Sequence, residues 1–282
     1  MINYTERLTL LMQDIVSRVP TLSFIDMRDV LVFARSGRTN ADGAFATCHC
    51  LSLPTSEPGY YFWKDRETGR ITRRSEWFVT KSPIVTVNER PINYLISFTL
   101  PRYCDQTLDR SRKERYYRRA SDNWMAKLDT VVHELYHIDP EQSGIRRIER
   151  TDGTSSQHCH TPKFFEEVAQ MVGEYLDTNP DPIAYDFLRY DFATLESLHD
   201  RVVGMSFRTF PSYPQRFIEA LETQPPCDVD LAGVEVAPVR VAQQPPSYTE
   251  QDLYVRHFMK DTSRRLAEKP ARPARRLPFR AA

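Results

Sequence analysis

Val131-Val132-His133-Glu134-Leu135-Tyr136-His137-Ile138 holds two histidines four residues apart, with a glutamate directly after the first and apolar residues on both sides. In an α-helix, residues i and i+4 lie on one face, one turn apart. Two imidazoles placed this way can bind one Zn²⁺ at about 2.0–2.1 Å each. The glutamate between them can then face the metal-bound water and act as its general base.

The surrounding residues support a helix. Ser121-Asp122-Asn123 offers N-cap side chains, and apolar residues recur at Trp124, Leu128, Val131, Val132, Leu135 and Ile138. Pro140 closes the pattern. The spacing predicts a helix of roughly 17 residues with one face in a core.

The chain has 282 residues, of which 40% are hydrophobic and 11% aromatic, so it can bury a sizeable core and is not disordered throughout. Lys+Arg and Asp+Glu are 38 each, so net charge points to no polyanionic partner. Glu6 and Asp14 interrupt the first apolar stretch, so no signal-peptide core is present there. No apolar run approaches the ~20 residues that span a bilayer. The expectation is a soluble protein of the cytoplasm with no membrane contact. Cys48, Cys50, Cys104, Cys159 and Cys227 are odd in number and scattered, which suits reduced thiols better than a disulfide framework.

Before the motif, Leu8, Leu11, Met12, Ile15 and Val19 keep a helical period that ends at Pro20. Short strands are expected over 22–25, 30–34 and 45–53, then a surface loop or hairpin over 54–75. Further strands are expected over 77–80 and 84–87, with the strongest over 92–100, stopped by Pro101. After the motif, 139–159 is a charged loop. Thr161-Pro162 has the form of an N-cap with proline at N1, opening a second apolar helix that runs to about Asn179-Pro180. Val229/Leu231 and Val234/Val236 alternate as in a small hairpin. The basic tail from Arg264 has seven cations, one acid and three prolines, a composition typical of disorder.

A catalytic zinc takes three protein ligands and keeps one position open. The longer pattern H-E-x-x-H-x-x-G-x-x-H would need glycine at 140 and histidine at 143. Pro140 and Ser143 stand there, which excludes it. The remaining candidates are Glu166, Glu167 or Glu174 on the next helix, or His158 or His160 before it. His160 is favoured because it precedes that helix in an H-x-x-x-F arrangement, with Phe164 able to anchor the helix in the core.

His133-Glu134-x-x-His137 followed by His160-Thr161-Pro162-Lys163-Phe164 resembles the SprT-like zinc metallopeptidases and the related phage-type metallopeptidases. Their motif is H-E-x-x-H, a loop, then H-G-x-x-F. The resemblance covers residues 5 to 177. Two features depart from it: Thr161 replaces the family glycine, and the loop to His160 is long and contains His158. The four-cysteine ribbon that often follows in that family is missing, since only Cys227 lies there.

The resemblance implies an α+β, compact zincin-like (minigluzincin or SprT-like) domain. Such a domain has a small, mostly antiparallel sheet, an active-site helix and a closing helix, here with a C-terminal extension. The expected division is 1–180 for the metallopeptidase domain, 181–262 for a helical and hairpin extension, and 263–282 for a basic proline-rich tail. His133, His137 and His160 would be the Zn²⁺ ligands and Glu134 the general base of peptide hydrolysis. A protein or peptide substrate would lie along a sheet edge, with strand 92–100 expected to supply that edge. Tyr175, His158, Arg146 and Arg147 are candidate partners for the oxyanion. Asp129 and Asp139 are candidate acceptors for an imidazole N–H.

The alternative function is nucleic-acid or partner binding on an inactive fold of this kind. Basic segments 110–119 and 264–280 motivate it, with Tyr116 and Tyr117 available for stacking. The first of these segments is otherwise a solvated helix face. Cys48-His49-Cys50 looks like a fragment of a metal site, but no matching pair lies nearby, so ordinary thiols on a half-buried strand are expected. His199 and His257 are expected at structural or surface positions.

Overall fold

The structure, a computed structural model, describes residues 1–37, 43–51, 62–64, 71–75, 78–81, 83–109, 111–117, 123–141, 144–146, 160–209, 217–220, 235–237 and 246–260. The fold is α+β. The chain begins with β1 (Ile2–Asn3) and α1 (Tyr4–Arg18). Asn3 caps α1, its Oδ1 accepting the Glu6 N–H at 3.3 Å. The predicted stripe of Leu8, Leu11, Met12, Ile15 and Val19 is fully buried. The expected strand over 22–25 does not form. A 3₁₀ turn over Pro20–Leu22 takes its place, because Pro20 pre-sets φ for a tight turn and lacks the N–H that a strand ladder needs.

Among the described residues, nine strands or short strand pieces precede the motif helix. They continue with β2 (Val30–Gly37) and β3 (Ala46–Cys50). β4 (Phe62–Lys64) and β5 (Ile71–Ser75) pair antiparallel, as a hairpin does. β6 (Phe78–Lys81), β7 (Ile84–Val87), β8 (Arg90–Pro91) and β9 (Tyr94–Pro101) follow. Then come α2 (Trp124–Tyr136), α3 (Pro162–Asp177), α4 (Phe192–His199), β10 (Val202–Phe207), β11 (Phe217–Ala220), β12 (Glu235–Ala237), β13 (Ser247–Tyr248) and β14 (Leu253–Phe258). Of the hairpin expected around 229–236, only residues 235 and 236 belong to the described residues, and Val234 lies outside them with Val229 and Leu231. β12 pairs in parallel with β5.

The central sheet has the order β2-β9-β3, with β2 parallel and β3 antiparallel to β9. It is therefore mixed, where a mostly antiparallel sheet was expected. The chain between β2 and β9 is long enough for the crossover that a parallel pair requires. β9, expected at a sheet edge, is the middle strand and is buried at all of its positions. Tyr94, Ile96, Phe98 and Leu100 face the main core with α1, α2 and α3. Leu95 faces a second cluster with Phe33, Val85, Ile92 and Phe207. A strand covered on both faces reads as a near-continuous apolar run, so edge and centre cannot be told apart from its sequence.

The segment 181–262 contributes to that same main core through Leu188, Phe192, Leu195, Val202 and Phe258, all 0–2% exposed. β10 pairs with β1 and lies across α1 and β2. Met205 N–H donates to Thr5 Oγ1 at 2.8 Å, and Ser206 Oγ donates to the Ala34 carbonyl at 2.8 Å. Gly204 permits this approach: a Cβ there would stand 3.1 Å from Thr5 Cγ2 and 3.3 Å from Ala34 Cβ. The tail 263–282 lies outside the described residues. No helix among the described residues is long and apolar enough to cross a membrane.

We predict that a chain ending at residue 180 does not fold cooperatively. It lacks those five side chains, each worth about 1.5–3 kcal/mol of burial. Their sum is comparable with the whole net stability of a domain, about 5–15 kcal/mol. Urea unfolding followed by circular dichroism checks this. A sigmoidal transition like that of the full chain would show 1–180 to be autonomous.

Candidate metal centre

α2 is helical over 13 residues, shorter than expected. Asn123 makes no side-chain bond to the helix; its Oδ1 accepts the Leu108 N–H at 3.0 Å instead. The motif lies at the other end. His133 is in the last turn, and His137 is the C-cap residue with right-handed helical geometry. That geometry preserves the i, i+4 register, so both imidazoles leave the helix on one side.

His160 meets them from the start of α3. The three Nε2 atoms form a triangle: His133 to His137 is 3.1 Å, His133 to His160 is 3.1 Å and His137 to His160 is 3.0 Å. A tetrahedral ion about 2.0–2.1 Å from each nitrogen would set them about 3.3–3.4 Å apart, close to what is seen. Burial, then the neighbouring imidazole of His137, Lys113 and His160, hold His133 well below its ordinary pKa. Burial, then His160 and Arg146, push His137 down to about 3. Burial and then Arg112 lower His160. All three rings are therefore neutral near pH 7 and offer lone pairs, the state a metal requires. Among the described residues, this is the one group of three or more His, Cys, Asp or Glu side chains that could hold a metal ion.

Phe164 is fully buried beneath the triangle. Its ring centroid is 4.9 Å from both His133 and His137 and 5.5 Å from His160. The anchoring role expected from H-x-x-x-F is thus realised. Thr161, which stands where the family motif has glycine, caps α3: its Oγ1 accepts the Phe164 N–H at 3.2 Å. A second tie joins the two helices. Tyr136 Oη donates to Glu167 Oε2 at 2.5 Å, and its ring lies 5.0 Å from Phe164. Beyond the end of α2, Arg146 Nε donates to the Tyr136 carbonyl at 2.8 Å. A cation at a helix C-terminus is favoured by the aligned peptide dipoles.

Glu134 is 5% exposed. Burial pushes its carboxyl up to about 8, against the opposing pull of the Cys48 backbone N–H bonded to it and of Lys113 and Arg35. The Cys48 contact follows from the register of β3. Thr99 N–H bonds the Phe45 carbonyl and Leu51 N–H bonds the Asn93 carbonyl. The odd residues of β3 therefore face β9, and Ala46, Cys48 and Cys50 turn their backbone groups outward. β3 is the end strand of the sheet, and it lays this outer edge against the Glu134 carboxyl.

The other candidates fall elsewhere. Glu167 is bonded to Tyr136, Glu174 accepts from Gln170 at 2.8 Å, and Glu166 is exposed. His158 and Arg147 lie outside the described residues. Tyr175 Oη donates to Asp14 Oδ2 at 2.7 Å within the α1–α3 packing, so it is no oxyanion partner. Asp129 is not an acceptor for an imidazole. Its Oδ2 takes the Tyr117 hydroxyl at 2.7 Å and its Oδ1 lies 2.8 Å from Lys113 Nζ. The Nδ1 atoms of His133 and His137 are buried without a hydrogen-bond partner among the described residues. Cys48 and Cys50 form no disulfide among the described residues and lie outside the histidine group.

The described part of 110–119 forms turns rather than a helix. Lys113 points inward, its Nζ also donating to the Ala126 carbonyl at 2.8 Å and to Thr130 Oγ1 at 2.5 Å. Arg112 lies over the Phe165 ring, 5.9 Å from its centroid, beside the triangle. The tail 264–280 lies outside the described residues.

The Cys48 and Glu167 contacts escaped the sequence reading. A backbone donor leaves no trace in residue type, and a tyrosine in an apolar run looks the same whether or not its hydroxyl has a partner. No family model, curated protein or solved structure matches the chain.

Thr161→Ala is expected to destabilise the start of α3 by about 1 kcal/mol through loss of the cap. Because His160 is the adjacent residue, metal affinity should fall several-fold, about the same free energy. Thr161→Ser should retain both. Competition with a chromophoric chelator measures the affinities, and equal values for all three proteins would separate the cap from the ligand.

Proposed function

We propose that the protein is a zinc-dependent peptide hydrolase on a compact zincin-like, SprT-like fold. The observation that carries this reading is the closed triangle of three neutral imidazoles with the buried carboxyl of Glu134 one residue from the first. Three imidazoles without a carboxylate suit zinc, which His133, His137 and His160 would hold while leaving room for a water. Zinc bound there would lower the pKa of that water and polarise the scissile carbonyl.

The remaining work falls to side chains and backbone of this chain. His133 and His137 are held by one rigid helix, and His160 by the capped start of α3. The Glu134 carboxyl would favour its ionised form beside a divalent cation; it would then take a proton from the attacking water and deliver it to the leaving amine as the C–N bond breaks. Its dry surroundings favour holding that proton between the two transfers, while the Cys48 N–H keeps the carboxyl in place. An extended protein or peptide substrate would pair along the outer edge of β3, the strand already in contact with the base. β3 replaces β9 in this role, since β9 has partners on both sides.

Wild-type protein is expected to bind one zinc per chain, and His160→Ala to lose most of it. Glu134→Gln should keep the zinc and lose peptide hydrolysis by about 10²–10⁴-fold, the usual contribution of a general base. Metal analysis by mass spectrometry and turnover of a quenched fluorescent peptide read these out. Unchanged zinc in His160→Ala would refute the ligand set, and unchanged turnover in Glu134→Gln would refute the base.

A further inference from the structure

α2 buries two lysine-bearing sites of opposite character. Lys113, which reaches α2 from the preceding turns, has a partner for each of its three donors: the Ala126 carbonyl, Thr130 Oγ1 and the Asp129 carboxylate. Lys127, on α2 itself, is 2% exposed. Its Nζ donates to one neutral acceptor, the Tyr190 carbonyl at 2.7 Å. Among the described residues no carboxylate forms an ion pair with it. An ammonium has three donors, and a buried cation without a counter-charge is costly.

Lys127 lines a cavity of about 480 Å³ formed by the turn after β9, the start of α2, the segment leading into α4 and Lys260. The two carboxylates in its wall are already engaged. Asp105 Oδ1 accepts the Phe192 N–H at 2.9 Å, and its Oδ2 lies 3.4 Å from Lys260 Nζ. Asp191 caps α4 by accepting the Thr194 N–H at 2.8 Å. The N-terminal ends of α2 and α4 both border this space, Asn123 and Lys127 from one, Asp191 and Thr194 from the other. The positive end of the α2 dipole adds to the ammonium, while that of α4 already faces the carboxylates of Asp191 and Asp105. Burial also lowers the pKa of Lys127, while Cys104, Asp105 and Asp191 oppose that shift.

We propose that this cavity is a second ligand site, separate from the histidine triangle, in which Lys127 binds a phosphate or carboxylate group of a small molecule. The anion supplies a direct ion-pair partner and takes the ammonium donors that the Tyr190 carbonyl leaves over. Lys260 and Arg189 at the rim add positive charge, though Arg189 is already paired with Asp186 at 3.0 Å. The size of the cavity suits a phosphomonoester or a short dicarboxylate rather than a polymer.

The test titrates full-length protein with inorganic phosphate, and in parallel with succinate, at constant ionic strength. The reference is Lys127→Met, which keeps the length of the apolar stem. Anion held anywhere else, including at the histidines, is common to both proteins and cancels in the comparison. The expected result is binding at least about tenfold tighter in wild type, the worth of one charge-assisted contact. The anion with the larger difference identifies the group the site prefers. Should Lys127→Met fail to fold, the ¹⁵N signal of Lys127 Nζ in the wild type decides alone. A saturable shift of that signal supports the site. Equal affinity in the two proteins, or an Nζ signal unmoved by both anions, overturns it.

Discussion

Three imidazole nitrogens at 3.0–3.1 Å from one another impose the constraint on which the rest of the structure depends. Two of them come from one helix, and their spacing costs nothing beyond forming that helix. The third comes from a residue 23 positions after His137. Its location is set by how α3 docks on α2. Phe164 under the triangle, the Thr161 cap and the Tyr136–Glu167 bond all act at that junction. Each positions His160 through backbone or packing rather than by touching a metal.

The cost of this arrangement is carried by α2. Besides its apolar residues, it buries Lys127, Asp129, Thr130 and Glu134, all at most 5% exposed. Polar groups withdrawn from water must find partners inside. Asp129 has Tyr117 and Lys113, Thr130 has Gln106 and the Ala126 carbonyl, and Glu134 has the edge of β3. Around each of these groups, distant segments are drawn in: the turns at 111–117, the turn after β9 and the strand that ends the sheet. The polar positions of α2 thereby organise the elements around it as much as its apolar ones do. The same logic explains why the C-terminal segment packs into the main core: the Tyr190 carbonyl takes one donor of Lys127 while Phe192 and Leu195 bury in the same core.

Much of this was legible in the residues. The apolar period of α1, the cap and proline that open α3, and the i, i+4 histidines are local signals, each set by backbone geometry within a few residues. Other features were not. Strand 92–100 was recognisable as a strand, but not as the centre of a mixed sheet, because a buried apolar run looks the same at either place. The strand expected over 22–25 became a turn because Pro20 outweighs the apolar residues that follow it. Tyr175 and Asp129 had the chemistry for roles at the site, but their partners, Asp14 and Lys113, hold them elsewhere.

By itself, the sequence determined the pairing of His133 and His137 with Glu134 beside them, since one helical turn brings the two imidazoles together whatever surrounds them. It also determined that α3 begins at Thr161-Pro162, and so that His160 stands at a helix start. Only the tertiary structure decided that His160 closes the triangle and that β3, not β9, lies against Glu134. It likewise decided that residues beyond 180 complete the core. Those outcomes depend on which surfaces of distant segments fit and whose polar groups are satisfied, and no spacing along the chain encodes that.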